Sequence, residues 1–350
     1  MKKIYDIVFL SNTPSFYKIN LCNEIGKKRS VLLVLYGYGD EAVNTLLNPD
    51  ETYDFDYYFL FEGNSSKRNK ITVFLKLLLL MSRIKYKKIL YSGWFVPEYN
   101  ILSFFTSRRD NCLICESSIR EVSFTGIKGF IKKKIINRMG VVLPSGTLHL
   151  EIFDSIGFKG HVVKTGGVGI FYKGDKGVGN KKCNTPLRYL YVGRLIDVKN
   201  LGFLVKAFNK NGKPLTIVGK GCLEASLKQM ACKNIDFKGF IDNKDLPQIY
   251  KEHDIFILPS KLEPWGLVVE EAIYWGLPVV VSENVGSSID LVKNLETGLI
   301  FKMDDQSNFD ETLETLENNY SYYKNNVDKV DFDQRDLMQI DAYVKLVDLK

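Results

Sequence analysis

Apolar and polar positions along this chain follow two alternating rhythms. Apolar runs of roughly four to eight residues read as strands. In the first half these are "IYDIVFLS" (4–11), "SVLLVLYG" (30–37), "KKILYSG" (87–93) and "NCLICES" (111–117). A helical pattern, "KINLCNEIGKK" (18–28), follows the turn "NTPS". The second half repeats the alternation more sharply. Its strands are "LRYLYVGR" (187–194), "PLTIVGKG" (214–221), "IDFKGF" (235–240), "DIFILPS" (254–260) and "PVVVSE" (278–283). Between them lie helical stretches at 200–208, 222–231, 244–252 and 266–276. Alternation of this kind predicts parallel sheets covered on both faces.

A Gly-, Lys- and Asn-rich stretch, "KGDKGVGNKKCNTP" (173–186), separates the halves and reads as a linker. The predicted fold class is α/β, with two Rossmann-like domains facing across a cleft. The first spans 1–172, the second 187–330, and 331–350 is a C-terminal helix packing back on the N-terminal domain. Ligands of open α/β sheets bind at the carboxyl ends of the strands, so the cleft is the expected site.

Composition sharpens this picture at three points. Among 350 residues, 45% are hydrophobic and 25% charged, enough for two cores. Cys112 and Cys115 form the only close cysteine pair, but strand alternation puts them on opposite faces, which argues against zinc or redox chemistry. The net charge of +7 is uneven: residues 1–172 hold 24 Lys and Arg against 15 Asp and Glu, the remainder 24 against 26. An anionic partner is therefore expected on the first half alone. Two of its segments combine cations with apolar residues. "KRNKITVFLKLLLLMSRIKYKK" (67–88) is too short in its apolar core to span a bilayer. It reads either as a buried helix with basic ends or as a helix lying on a membrane interface. "IKGFIKKKIINRM" (127–139) gathers Ile127, Phe130, Ile131, Ile135 and Met139 near one helical stripe, flanked by Lys132, Lys133 and Lys134. No nucleic-acid-reading motif accompanies this charge. The N-terminus lacks a signal-peptide cleavage site and reads as a strand.

The candidate chemistry lies in the second half. "YVGRLIDVKN" (191–200) puts Gly193 and Arg194 at a strand end and Lys199 in the loop beyond. Arginine as a fork and lysine as a point charge suit a diphosphate, and glycine permits close backbone approach. "SKLEPWGLVVEEA" (260–272) sets Glu263 just outside the sheet, then Trp265 and a helix starting near Gly266 or Leu267. The free amides of that helix suit an anion. Glu271 follows about 7.5 Å along the axis, and a carboxylate accepts sugar hydroxyls. A nucleotide sugar has this plan. Glu263 would take hydroxyls of the transferred sugar. The amides near Gly266 and Leu267, with Arg194 and Lys199, would take the diphosphate, and Glu271 the ribose. Glu270 points about 100° away on the helix and reads as a solvated or structural acid.

With these motifs the chain resembles the retaining family-four glycosyltransferases of the GT-B fold. "VGRLIDVKN", "LTIVGKG", "FKGFI", "DIFILPSKLEPWGLVVEEA", "GLPVVVS" and "ETGLIF" occur in family order across residues 187–302. Glu263 and Glu271 match the family's two acids separated by seven residues, and Arg194 and Lys199 its diphosphate-binding pair. The resemblance implies transfer of a hexosyl-type sugar from a nucleoside diphosphate, UDP by expectation and GDP as the alternative, with retention. It also implies a saccharide acceptor, lipid-linked as in bacterial surface polysaccharide synthesis (O-antigen, capsule or exopolysaccharide). The expected setting is cytoplasmic, peripheral on the inner membrane face through Lys132, Lys133 and Lys134. No metal or other cofactor is expected, the cations neutralising the leaving group. The first half departs from the family: "SNTPSFYK" replaces a glycine-rich loop, and Glu116 stands where many members have a histidine. Glu116 is a candidate to meet the acceptor or the transferred sugar, against an ion pair with Arg120 as the structural alternative. Rival readings are a phosphorylase or epimerase on the same fold and a catalytically idle nucleotide-sugar-binding subunit.

Overall fold

A computed structural model describes residues 2–38, 47, 51–174 and 184–349. The chain divides into two compact units, one of Met1–Phe171 with Asp333–Lys350, the other of Tyr172–Phe332. Most of the expected linker, residues 175–183, lies outside the described residues.

The first unit is built on seven strands: β1 (Lys3–Ser11), β2 (Val31–Leu35), β3 (Asp56–Phe59), β4 (Ile84–Ser92), β5 (Asn111–Cys115), β6 (Val141–Pro144) and β7 (His161–Val162). They pair in the order β3-β2-β1-β4-β5-β6-β7, all parallel. Strands β2 and β5 are buried at every position, as a sheet covered on both faces requires. The helices are α1 (Phe16–Gly26), α2 (Lys70–Arg83), α3 (Pro97–Leu102), α4 (Gly126–Ile136) and α5 (Thr147–Ser155). One core contains residues of α2, α3 and α4, the other residues of α1. Cys112 lies in one of these cores and Cys115 in the other, the opposite-face placement that alternation requires.

Two expectations are corrected here. Segment 67–88 is not one helix. It ends at Arg83, and Ile84–Lys88 opens β4, because the β1 edge offers a full hydrogen-bonding ladder from Lys3 onward. Asn69 caps the helix, its side chain accepting from the amides of Ile71 and Thr72. Only Val73 and Leu77 are buried, while Ile71, Leu75 and Leu79 are exposed, so this is not a buried helix. The single stripe expected over 127–139 is split: Ile135 and Met139 enter the core, and Ile127, Phe130 and Ile131 face solvent. Packing on the sheet takes one side of α4 and leaves the other uncovered.

The second unit has six parallel strands: β8 (Tyr189–Val192), β9 (Leu215–Val218), β10 (Ile235–Gly239), β11 (Ile255–Leu258), β12 (Val279–Ser282) and β13 (Gly298–Phe301). Their order is β10-β9-β8-β11-β12-β13. Helices α6 (Leu201–Asn211), α7 (Glu224–Met230), α8 (Leu246–Glu252), α9 (Leu267–Tyr274), α10 (Gln306–Asn318) and α11 (Tyr320–Asp328) connect and flank them. The last helix, α12 (Phe332–Val344), belongs to the first unit from Asp333 onward, where Ile340, Tyr343 and Leu346 enter its core.

Candidate active site

In the second unit the winding reverses between β8 and β11. From β8 the chain proceeds to β9 and β10 on one side, then crosses to β11 on the other. Loops leaving neighbouring strands in opposite directions open a crevice at their carboxyl ends. Gly193 and Arg194 follow β8, and Glu263 lies beyond the end of β11, so the topology brings both halves of the predicted site to this point. Arg194 is exposed and forms no ion pair among the described residues. Its carbonyl accepts the Tyr191 hydroxyl at 3.1 Å. Burial raises the Tyr191 phenol above its ordinary range, with Glu263 raising it further and Arg194 opposing.

The backbones here pack closely. A Cβ on Gly219, after β9, would sit 1.9 Å from the Gly193 carbonyl oxygen. Beyond Gly193 a short 3-10 turn, Asp197–Lys199, leads into α6. It is tied to the β11 loop by Lys261, whose amide donates to the Val198 carbonyl at 2.8 Å and whose ammonium bridges Asp197 at 2.9 Å. The same approach pairs Lys199 with Glu263. Both side chains are largely buried, and Ser260 Oγ adds a hydrogen bond to Glu263 at 3.3 Å. Sequence reasoning gave Lys199 to a diphosphate and Glu263 to a sugar. In the structure they are partners.

The strand-to-helix turn fixes the remaining residues. The Gly286 amide donates to Glu263 O at 2.9 Å and the Ser287 amide to Trp265 O at 3.0 Å. Gly266 caps α9 with φ of 91°, a left-handed conformation that favours glycine, and a Cβ there would press on Glu263, Val285 and Leu258. The helix begins at Leu267, leaving its first amides without intrahelical acceptors. Trp265 is 2% exposed, so its ring supports the turn from inside and leaves the backbone to the site. Glu270 is 5% exposed, so it is a structural acid and not a solvated one. Glu271, one turn in, accepts a hydrogen bond from Tyr250 of α8 at 3.0 Å. Burial pushes its carboxyl up to about 7; the Tyr250 hydroxyl opposes the rise and Glu270 adds to it. Tyr250 was missed from the sequence, because nothing in its local pattern shows what its hydroxyl meets across the fold.

In the first unit Glu116 follows β5 directly. The segment after it is not helical, and its cation is Lys18 of α1 at 3.1 Å, in place of the anticipated Arg120. Burial would lower the Lys18 ammonium, but the Glu116 carboxylate outweighs it and holds the pKa above its ordinary value. Buried His149 of α5 contacts the Glu116 carbonyl through Nε2 at 3.1 Å. Lys132, Lys133 and Lys134 lie on α4; Lys132 reaches back to the Ser123 carbonyl, and Lys133 and Lys134 are exposed. Among the described residues no helix is long and apolar enough to cross a membrane.

Residues 178–329 match the family model described as Glycosyl transferases group 1. A protein of Klebsiella pneumoniae, described as an uncharacterized 41.2 kDa protein in the cps region, is 28% identical over 144 residues. That match covers 39% of this chain and 40% of the relative, so the chain aligns with well under two thirds of it. Two solved structures share the fold along nearly the whole chain. The lipopolysaccharide outer core galactosyltransferase WaaB has a TM-score of 0.69 at 13% identity, covering 98% of this chain and 99% of its own. Anabaena HepE, solved in complex with UDP, has a TM-score of 0.67 at 18% identity, covering 96% and 94%. The two parallel-sheet units are those of a GT-B fold.

Proposed function

We propose, from the match of residues 178–329 to the glycosyl transferases group 1 family model, that this chain is a glycosyltransferase of bacterial surface polysaccharide synthesis, moving a sugar from a nucleoside diphosphate to a saccharide acceptor. The observation that carries the reading is the convergence of Arg194, the Lys199–Glu263 pair and the start of α9 at the switch point of one sheet. In this reading the exposed Arg194 guanidinium and the first amides of α9 hold the diphosphate. Their positive field stabilises the charge that develops as the bond from the anomeric carbon to the phosphate oxygen breaks. Lys199 holds Glu263 in place and aimed at the sugar, and Glu271 takes the ribose hydroxyls. The acceptor hydroxyl attacks from the face the diphosphate leaves, and the departing phosphate oxygen takes its proton. Retention is then the stereochemical outcome, and no separate base is needed. UDP is the proposed nucleotide of the donor; the UDP held by HepE supports it.

The acceptor is proposed to be lipid-linked, met at an anionic membrane surface. Ile71, Leu75 and Leu79 of α2 and Ile127, Phe130 and Ile131 of α4 are exposed on the unit that carries the basic excess. Lys128, Lys133 and Lys134 accompany the α4 residues, giving the pairing of apolar and cationic groups that suits an anionic bilayer.

The test is release of nucleoside diphosphate from a panel of UDP- and GDP-sugars, with and without bacterial lipid extract. One donor should turn over, and Arg194→Ala should cost about 2 to 4 kcal/mol in kcat/KM. Arg194→Lys should recover only part, because the guanidinium fork is lost. Binding of a nucleotide sugar without turnover under any condition would leave the idle-subunit reading standing.

A further inference from the structure

The first unit has a second concave site, at the edge of its sheet opposite the carboxyl ends. A cavity of about 480 Å³ opens among the amino-terminal approaches to β5, β6 and β7, beside Lys88 of β4. Five groups that carry or accept positive charge line it, Lys88, Arg108, Arg109, Lys159 and His161, and among the described residues no carboxylate does. Arg108, Arg109 and Lys159 form no ion pair among the described residues. Its floor is bare backbone: a Cβ on Gly160 would lie 2.4 Å from the Gly140 carbonyl oxygen, and one on Gly140 would lie 2.6 Å from that of Arg108.

Lys88 is the informative member. It is 3% exposed, and its ammonium donates to the Arg109 carbonyl at 2.9 Å. Asp110 is next to Asn111, the register partner of Ile89, yet it forms no ion pair with Lys88. A buried ammonium whose polar contact is a neutral carbonyl is costly unless an anion completes its surroundings. Two guanidiniums and a further ammonium at the mouth present a forked and point-charge donor set suited to phosphate oxygens.

We propose that this cavity binds a phosphate-bearing anion through Lys88, Arg108, Arg109 and Lys159. The site is separate from the donor chemistry at Arg194 and does not depend on it. The anion is either free in solution or the headgroup of a phospholipid. Phe104 and Phe105, exposed just upstream of the two arginines, give the second source a physical basis.

The experiment uses the Arg194→Ala chain, so that phosphate held at the donor site does not contribute. Inorganic pyrophosphate is titrated calorimetrically at low ionic strength. Vesicles of phosphatidylcholine with phosphatidylglycerol are offered in parallel flotation. The Arg194→Ala chain should bind pyrophosphate, and adding Arg108→Ala with Arg109→Ala should weaken binding by at least about tenfold. Both arginines are exposed, so the melting temperature without ligand should hold. Loss of pyrophosphate binding with unchanged flotation assigns a soluble anion; loss of both assigns a headgroup. Equal binding of both probes with and without the arginines would overturn the proposal. So would an equal loss of pyrophosphate binding on changing Lys133 and Lys134 to alanine, which would mean diffuse attraction to the basic unit. The readout needs no glycosyl transfer, so it stands or falls apart from the proposed activity.

Discussion

Lys199 and Glu263 hold each other in this structure, so neither can be changed without disturbing the other. Removing one partner of a largely buried pair leaves the second uncompensated. If, as proposed, the carboxylate meets the reacting sugar, Glu263→Gln should mainly lower kcat, and Lys199→Ala should lower it too. The double variant should fall short of the summed losses, with a coupling on the order of 1 to 3 kcal/mol measured by a double-mutant cycle. Strict additivity would mean that Lys199 serves the diphosphate alone. Glu271 should behave differently, with Glu271→Gln raising the donor KM more than it lowers kcat. Its carboxyl is raised in the folded chain to about 7, above the ordinary carboxylate value of 4.5. Between those values the native state keeps a proton that the unfolded chain has released. The stability from this group is therefore full below about pH 4.5 and lost as pH rises through about 7. Denaturant unfolding should find Glu271→Gln more stable than the parent at about pH 8, by on the order of 2 kcal/mol, and nearly equal at about pH 5. Donor affinity should rise between about pH 6 and 8 as the ionised form accepts the ribose hydroxyls, and this dependence should vanish in the variant.

The two faces of α4 separate packing from docking. Ile135 is buried, so Ile135→Ala should cost about 2 to 5 kcal/mol of stability. Ile127 and Phe130 are exposed, so Ile127→Ser with Phe130→Ser should leave the melting temperature unchanged and weaken flotation with anionic vesicles. Changing Lys132, Lys133 and Lys134 to glutamate should abolish that flotation and spare donor hydrolysis. Most of the effect should come from Lys133 and Lys134, since Lys132 is held at the Ser123 carbonyl. Each contributes about 1 kcal/mol near an anionic leaflet. Wild-type protein that stays unbound at low salt would remove the membrane surface from the functional reading.

At the scale of the whole molecule, the segment from Asp333 onward, α12 and the turn after it, completes the first unit. Ile340, Tyr343 and Leu346 fill the core around β1 and β2, and Lys28 and Arg29 pair with Asp341 and Asp348 at the surface. Tyr343→Ala should therefore destabilise the first unit by about 3 to 5 kcal/mol. Hydrogen exchange should lose protection in β1 and β2 while β8 and β12 keep theirs. An equal loss in both sheets would mean that the two units unfold as one.

The strands and helices of the second unit were legible because each is a short apolar run between turn residues, and parallel strands buried on both faces need nothing subtler. The positions of the candidate site residues were legible for a related reason. The ends of β8 and β11 and the start of α9 are local features, and Gly266 marks its own turn. The sequence also determined that the basic excess belongs to the first half. Partnership was not legible. Lys199 with Glu263, Tyr250 with Glu271, and Lys18 in place of Arg120 with Glu116 join residues 64, 21 and 98 positions apart. Strand order brings such groups together, and periodicity carries no information about strand order. Only the tertiary structure decided which side of α4 is covered, where α2 gives way to β4, and that Lys88 stands buried with no carboxylate partner among the described residues. Each of these depends on which surface a neighbouring element occupies, a long-range property that a local pattern of apolar and polar residues does not encode.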